Sequence, residues 1–115
     1  MNIEKRNHVA ILREPGVLIH DSQSALDLIA TVHYETGCTA LVLPKSALAE
    51  DFFRLPTGLA GEVLQKFVNY QMALAVVGDF SGYTSKNLKD FLYESNQGRT
   101  VCFVSSEEEA LARLG

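Results

Sequence analysis

Short apolar runs alternate along this chain with longer stretches in which apolar residues recur every three or four positions. The runs VAILR (9–13) and VLIH (17–20) flank Glu14-Pro15-Gly16. A Pro-Gly pair between two β-rich runs is turn chemistry, so the pattern predicts an opening hairpin. His20-Asp21-Ser22 then offers a helix cap, and Ala25, Leu26, Ile29 and Val32 trace one face of a helix over about residues 22–35 that Gly37 stops. TALVL (39–43) is apolar without alternation, as expected of a strand buried on both faces, and Pro44 ends it. A second helix is predicted over about 57–70, with Leu59, Ala60, Val63, Leu64, Phe67 and Val68 as its stripe and Thr57 as its cap. ALAVV (73–77) repeats the buried-strand pattern.

Gly78-Asp79-Phe80-Ser81-Gly82 breaks that strand, and Thr84 or Ser85 caps a third helix that places Leu88, Phe91 and Leu92 inward and closes at Asn96-Gln97-Gly98. TVCFV (100–104) is the last strand. Ser105-Ser106 and Glu107, Glu108 and Glu109 put carboxylates at the positive end of a final helix whose inner face is Ala110, Leu111 and Leu114. The order is ββαβαβαβα, an α/β architecture with a mostly parallel, mixed five-stranded sheet and four helices. Residues 1–115 are expected to form a single domain. The connection at 45–56, carrying Asp51, Phe52, Phe53 and Leu55, is the one stretch with spare length, and such connections tend to be functional or specially packed.

Composition narrows the function classes. The 115 residues are 47% apolar and 21% charged, enough for a core. A net charge of −4 argues against broad binding to nucleic acid or to an acidic membrane surface. The polar start at residues 1–7 is unlike a signal peptide, and no apolar stretch approaches the roughly 20 residues that span a bilayer. A cytoplasmic, reduced protein is the expectation, with Cys38 and Cys102 as free thiols.

In a parallel sheet the ends of the strands share one edge with the starts of the following helices, so residues 45–58, 79–85 and 105–108 are expected to converge there. At Thr57, Gly58 and Gly61 the amides are free, and the glycines admit a ligand or a close-packed neighbour. The segment lacks the GK[ST] ending of a phosphate loop, and Glu62 already complements the helix start. Asp79 reads first as a turn carboxylate bonding loop amides. A sharper reading has Asp79, with Ser81 and Ser85, lining a crevice that faces Thr57 and Glu62, where two carboxylates would serve as acid and base. Glu62 and Lys66, four apart, are otherwise expected to pair on a solvated helix face. His8, His20 and His33 lack metal-ligand spacing, GxSxG is absent, and neither a metal nor a cofactor is expected. Phe52, Phe53 and Leu55 either fold back over the sheet edge or form a homodimer surface with Tyr83 and Tyr93.

The element order resembles the STAS domains, named for sulfate transporters and anti-sigma factor antagonists. The segments TGLAGEVLQKFVNY (57–70), VVGDFSGYTSKNLKDF (76–91), ESNQG (94–98) and DLIATVHYETGC (27–38) are similar to the bacterial family catalogued as domain of unknown function 4180. That family implies no activity, substrate or cofactor. In STAS-type antagonists a Ser or Thr at the start of the helix after the third strand is phosphorylated to switch partner binding. Thr57 is the nearest equivalent, although the antagonists' loop is short and here about a dozen residues precede Leu55-Pro56-Thr57-Gly58. The expectation is a noncatalytic regulatory module that contacts a protein or small ligand through Asp51, Phe52, Phe53, Thr57, Gly58, Gly61 and Glu62, with Asp79 and Ser81 beside them. The alternative is a small enzyme or anion-binding protein using the crevice near Thr57 and Asp79.

Overall fold

A computed structural model describes residues 2–115. Five strands form one sheet in the order β1-β2-β3-β4-β5: β1 Ile3–Arg6, β2 Val9–Leu12, β3 Ala40–Pro44, β4 Ala73–Val77 and β5 Val101–Val104. The first pair is antiparallel and the rest are parallel. The helices are α1 Ser22–Thr36, α2 Leu59–Asn69, α3 Lys86–Gln97 and α4 Glu107–Leu114.

The side chains of each inner strand alternate between two cores, as the two-residue period of a strand requires. Ala10, Leu12, Leu41, Leu43, Leu74, Val76 and Phe103 face α1, α2 and α3. Val9, Ile11, Ala40, Val42, Ala75, Cys102 and Val104 face α4. Both sides of the central strands are apolar, which is why these segments read as unalternated runs. The second face is built from smaller and β-branched residues, a shape that one eight-residue helix can cover.

The opening hairpin differs from the one predicted. It joins β1, IEKR, to β2 through a two-residue turn at Asn7 and His8, with Arg6 opposite Val9 and Asn7 at φ 56°. An edge strand has one neighbour and one exposed side, so it needs no apolar run, and β1 is accordingly polar. Pro15 and Gly16 do make a bend, but residues 17–20 leave the sheet. The amides of Leu18 and Ile19 donate to the Ala47 carbonyl at 2.8 and 2.9 Å, and the Ala49 amide donates to Ile19. Buried Ile19 thus anchors the long connection. The other strands and the four α-helices fall within two residues of prediction. Asp21 caps α1, accepting from the Ser24 amide at 2.7 Å, while Ser24 Oγ accepts from the Asp21 amide. Ser85 and Ser106 cap α3 and α4.

Arg13, just past β2, ties the hairpin to α4. Its Nη1 donates to Glu4 at 2.6 Å, and Nη2 and Nε donate to the two oxygens of Glu107 at 2.8 and 3.1 Å. These bonds hold the Glu4 and Glu107 carboxyls below their ordinary value of 4.5. A carboxylate with a depressed folded pKa stabilises the fold above its unfolded value and loses that contribution as pH falls through the folded value. Urea midpoints measured from pH 6 to pH 3 should therefore fall below about pH 4.5. Arg13→Ala should flatten that acid limb, and an unchanged limb would show that the Arg13 bridge is not its source.

Candidate functional site

The carboxyl edge of the sheet does gather the segments expected there. The connection from β3 to α2 is three consecutive 3-10 turns, Lys45–Ala47, Glu50–Phe53 and Leu55–Thr57. Phe52 is 0% exposed and Phe53 4%, so both rings fold back into the core. Phe52 meets Phe53 edge-on at 5.0 Å and lies 6.2 Å from Phe103. Tyr83 stacks on Phe53 at 5.2 Å, and Phe80 and Phe103 complete the cluster. Of the two alternatives for this loop, back-packing is the one adopted, with Tyr83 part of it, so Phe52 and Phe53 are core side chains and not the contact residues expected. Tyr93 lies elsewhere, exposed on α3.

The outer side of the same loop is polar. Asp51 accepts from Arg54 Nη1 at 2.9 Å. The Thr57 hydroxyl lies 2.8 and 2.9 Å from the Asp51 and Arg54 carbonyls, to which it donates, and it accepts from the Leu59 amide at 3.2 Å. Thr57 does not cap α2 as predicted. The last 3-10 turn closes with the Gly58 amide on Leu55, and Gly58, at φ 78°, is the capping position. That left-handed conformation is what requires glycine there. Gly61 differs from expectation as well: a Cβ built on it meets nothing within 4 Å, so its backbone faces open space rather than a close-packed neighbour. Glu62 is exposed and makes no ion pair with Lys66. The i, i+4 bond on that face joins Gln65 to Asn69 instead, at 2.8 Å.

Asp79 adopts the turn arrangement. Its Oδ1 accepts from the Ser81 amide at 2.9 Å and the Ser81 hydroxyl at 2.6 Å. The hydroxyl, then the amide, hold the carboxyl below its usual value. An open cleft of about 570 Å³ lies beside it at the ends of β4 and β5, bounded by Asp79, Phe80, Phe103, Ser105 and Glu109. Glu109 Oε1 accepts from the Ser105 amide and hydroxyl at 3.1 and 3.2 Å. Thr57 and Glu62 do not line this cleft. The predicted pairing of Glu62 with Asp79 across one crevice is thus replaced by Asp79 with Glu109. Glu62 sits a turn into α2, whereas Glu109 is carried on the helix that follows β5.

Lys45 and Glu50 are the polar residues that the sequence pattern did not single out, and Tyr83, expected only as part of a homodimer surface, joins them. Lys45 Nζ lies 4.8 Å from the Tyr83 ring centroid and 5.5 Å from that of Phe53, within cation–π range. The Tyr83 hydroxyl donates to Glu50 at 3.1 Å. The Tyr83 hydroxyl, with Glu50 and Asp79 nearby, raises the Lys45 pKa, while burial raises that of Tyr83. The Lys45 stem lies against Gly78, where a Cβ would come within 2.6 Å of Lys45 Cβ. Gly78 therefore marks where two strand ends bring their chains together, a signal that was present in the sequence as a glycine directly after β4. The buried Cys102 thiol, its pKa raised by desolvation, behaves as a small hydrophobe. Among the described residues no cluster of His, Cys, Asp and Glu is arranged to hold a metal, and no helix is long and apolar enough to cross a membrane.

The sequence profile of the family described as domain of unknown function (DUF4180) matches residues 4–114. The chain belongs to this family. Its fold is that of the STAS domains: the structure aligns with a crystal structure of a candidate anti-sigma factor antagonist from Thermotoga maritima. That alignment has a TM-score of 0.52 and covers 98% of this chain and 92% of the other. At 18% identity the likeness is one of fold. No curated protein matches the DUF4180 chain in sequence.

Proposed function

We propose that this DUF4180 protein is a noncatalytic regulatory module, working in the cytoplasm, that meets a protein partner through the outer face of the loop before α2 and the first turn of that helix. The observation that carries this reading is the two-sided build of the loop. Phe52 and Phe53 pin it from within, while Asp51, Arg54, Thr57, Gly58, Gly61 and Glu62 are all exposed on the outside. A surface held rigid before binding loses little conformational entropy when a partner docks. The fold relative described as acting against an anti-sigma factor, itself a protein, supports the same class of partner. Asp79 and Ser81 are left out of this face, because Asp79 lies on the cleft at the ends of β4 and β5 that Thr57 and Glu62 do not line.

Thr57 carries the expectation of phosphorylation, and a phosphate there would replace a hydroxyl hydrogen now shared with two carbonyls by a dianion beside Asp51. Such a change would loosen the loop, which suits a switch that releases the partner. The catalytic alternative has less support. Asp79 ionises readily and makes a poor general acid, and the carboxylates of Asp79 and Glu109 beside the cleft disfavour anions.

A photo-crosslinking residue at Gly61, where the added side chain enters open space, should form one adduct of defined mass in cells. Arg54→Glu should abolish it, and the same probe at Glu94 on α3 should form none. Equal adducts at both positions, or none at Gly61, would reject this face as the docking surface.

A further inference from the structure

At the opposite edge, where β4 and β5 begin, the surface between α1 and the end of α2 is apolar and open. A cavity of about 460 Å³ lies there, formed by Leu26, Ile29, Ala30 and Met72 and flanked by Tyr34 and Tyr70. Tyr34 is 91% exposed and Tyr70 57%. A second cavity of about 250 Å³ shares Met72 with the first and continues past exposed Val68 to Arg99. Of the five large apolar side chains exposed among the described residues, three lie along this path. Such clustering marks a binding surface more than scattered exposure does.

The volume and lining fit a small molecule. Ligand sites run from roughly 300 to 1,000 Å³ and are mostly apolar with a few polar groups, here His33 and the two phenols. Two turns of a partner helix, about 11 Å long and about 10 Å across with side chains, would need more room than the deeper cavity has. The charge of the lining selects the polar end of the ligand. The chain holds 14 acidic residues against 10 Lys and Arg, yet no Asp or Glu lines either cavity. The basic groups there are His33 and Arg99, and Arg99 is exposed without an ion pair among the described residues. A guanidinium without an ion-pair partner, on a mostly apolar path that no carboxylate lines, is complementary to a carboxylate.

We propose that this groove binds a small amphiphilic carboxylate. Its aliphatic or aryl body lies on Leu26, Ile29, Ala30 and Met72, and its head meets Arg99. The site is separate from the loop before α2 and stands whether or not that loop meets a partner.

Titration of isotope-labelled protein with sodium octanoate, followed by amide NMR, tests it. Saturable shifts are expected in residues 26–34 and 70–73, with octylammonium binding at least about tenfold more weakly, a difference of about 1.4 kcal/mol. Arg99→Ala should weaken octanoate but not octanol. Ala30→Phe, on an exposed helix position, should fill the cavity and remove binding of both while leaving the circular dichroism unchanged. Octylammonium binding as tightly as octanoate, shifts spread over the whole surface, or no saturable shift would overturn the proposal. So would an acidic helical peptide that binds this groove when octanoate does not.

Discussion

Phe52→Ala is expected to cost about 3–5 kcal/mol, the range for emptying a fully buried aromatic site. For a protein of ordinary stability, about 5–15 kcal/mol, this is a large share of the total. Phe52 is completely buried, with Phe53 at 5.0 Å and Phe103 at 6.2 Å, so its loss leaves a void bounded by a 3-10 turn and the end of β5. The loop cannot collapse into that void without also moving Arg54 and Thr57, whose bonds run through the Asp51 and Arg54 carbonyls. Urea denaturation should show the drop with an unchanged slope. A loss below about 1 kcal/mol would mean that the loop is not part of the cooperative core.

Asn96→Ala is the second large effect, expected at about 2 kcal/mol and again read from urea midpoints. β5 is an edge strand whose outer groups have no strand to pair with. Asn96, near the end of α3, supplies the missing partner. Its Nδ2 donates to the Phe103 carbonyl at 3.1 Å and its Oδ1 accepts from the Phe103 amide at 2.7 Å. Its own carbonyl accepts from Arg113 of α4 at 2.6 Å. Alanine leaves two half-buried backbone groups unpaired and reopens a strand edge, so the variant should also self-associate more readily at high concentration. Asn96→Asp keeps the acceptor but replaces the Nδ2 donor with an oxygen facing the Phe103 carbonyl, so it should not restore stability. Full stability in either variant would assign the edge protection to other groups.

Asn96 also shows the limit of local reading. Its place near Gly98 reads as a helix stop, and it is one, but its larger role depends on Phe103 of β5, seven residues further on. The buried strands β3, β4 and β5 and the four helices were legible because burial imprints its own period on the residues: continuous where both faces are covered, every third or fourth where one face is. The hairpin was misplaced because a polar edge strand carries almost no such imprint, and the two-residue turn at Asn7-His8 is a weaker signal than Pro15-Gly16.

The candidate site divides in the same way. Its position at the carboxyl edge of the sheet followed from the order of elements, as did the turn role of Asp79. Which carboxylate stands across from Asp79 did not follow, nor did the placement of Lys45 over two aromatic rings, because both depend on how loops from different strands meet. Local pattern alone specifies an α/β chain with two-sided strands, its helices to within two residues at each end and the edge where its loops converge. Long-range packing sets the rest: Phe52 and Phe53 point inward, Glu109 rather than Glu62 shares the cleft with Asp79, and a carboxylate-free groove opens between α1 and α2. The difference is one of range. Period, capping and turn preference act over a few residues, whereas these choices are made by packing between segments tens of residues apart.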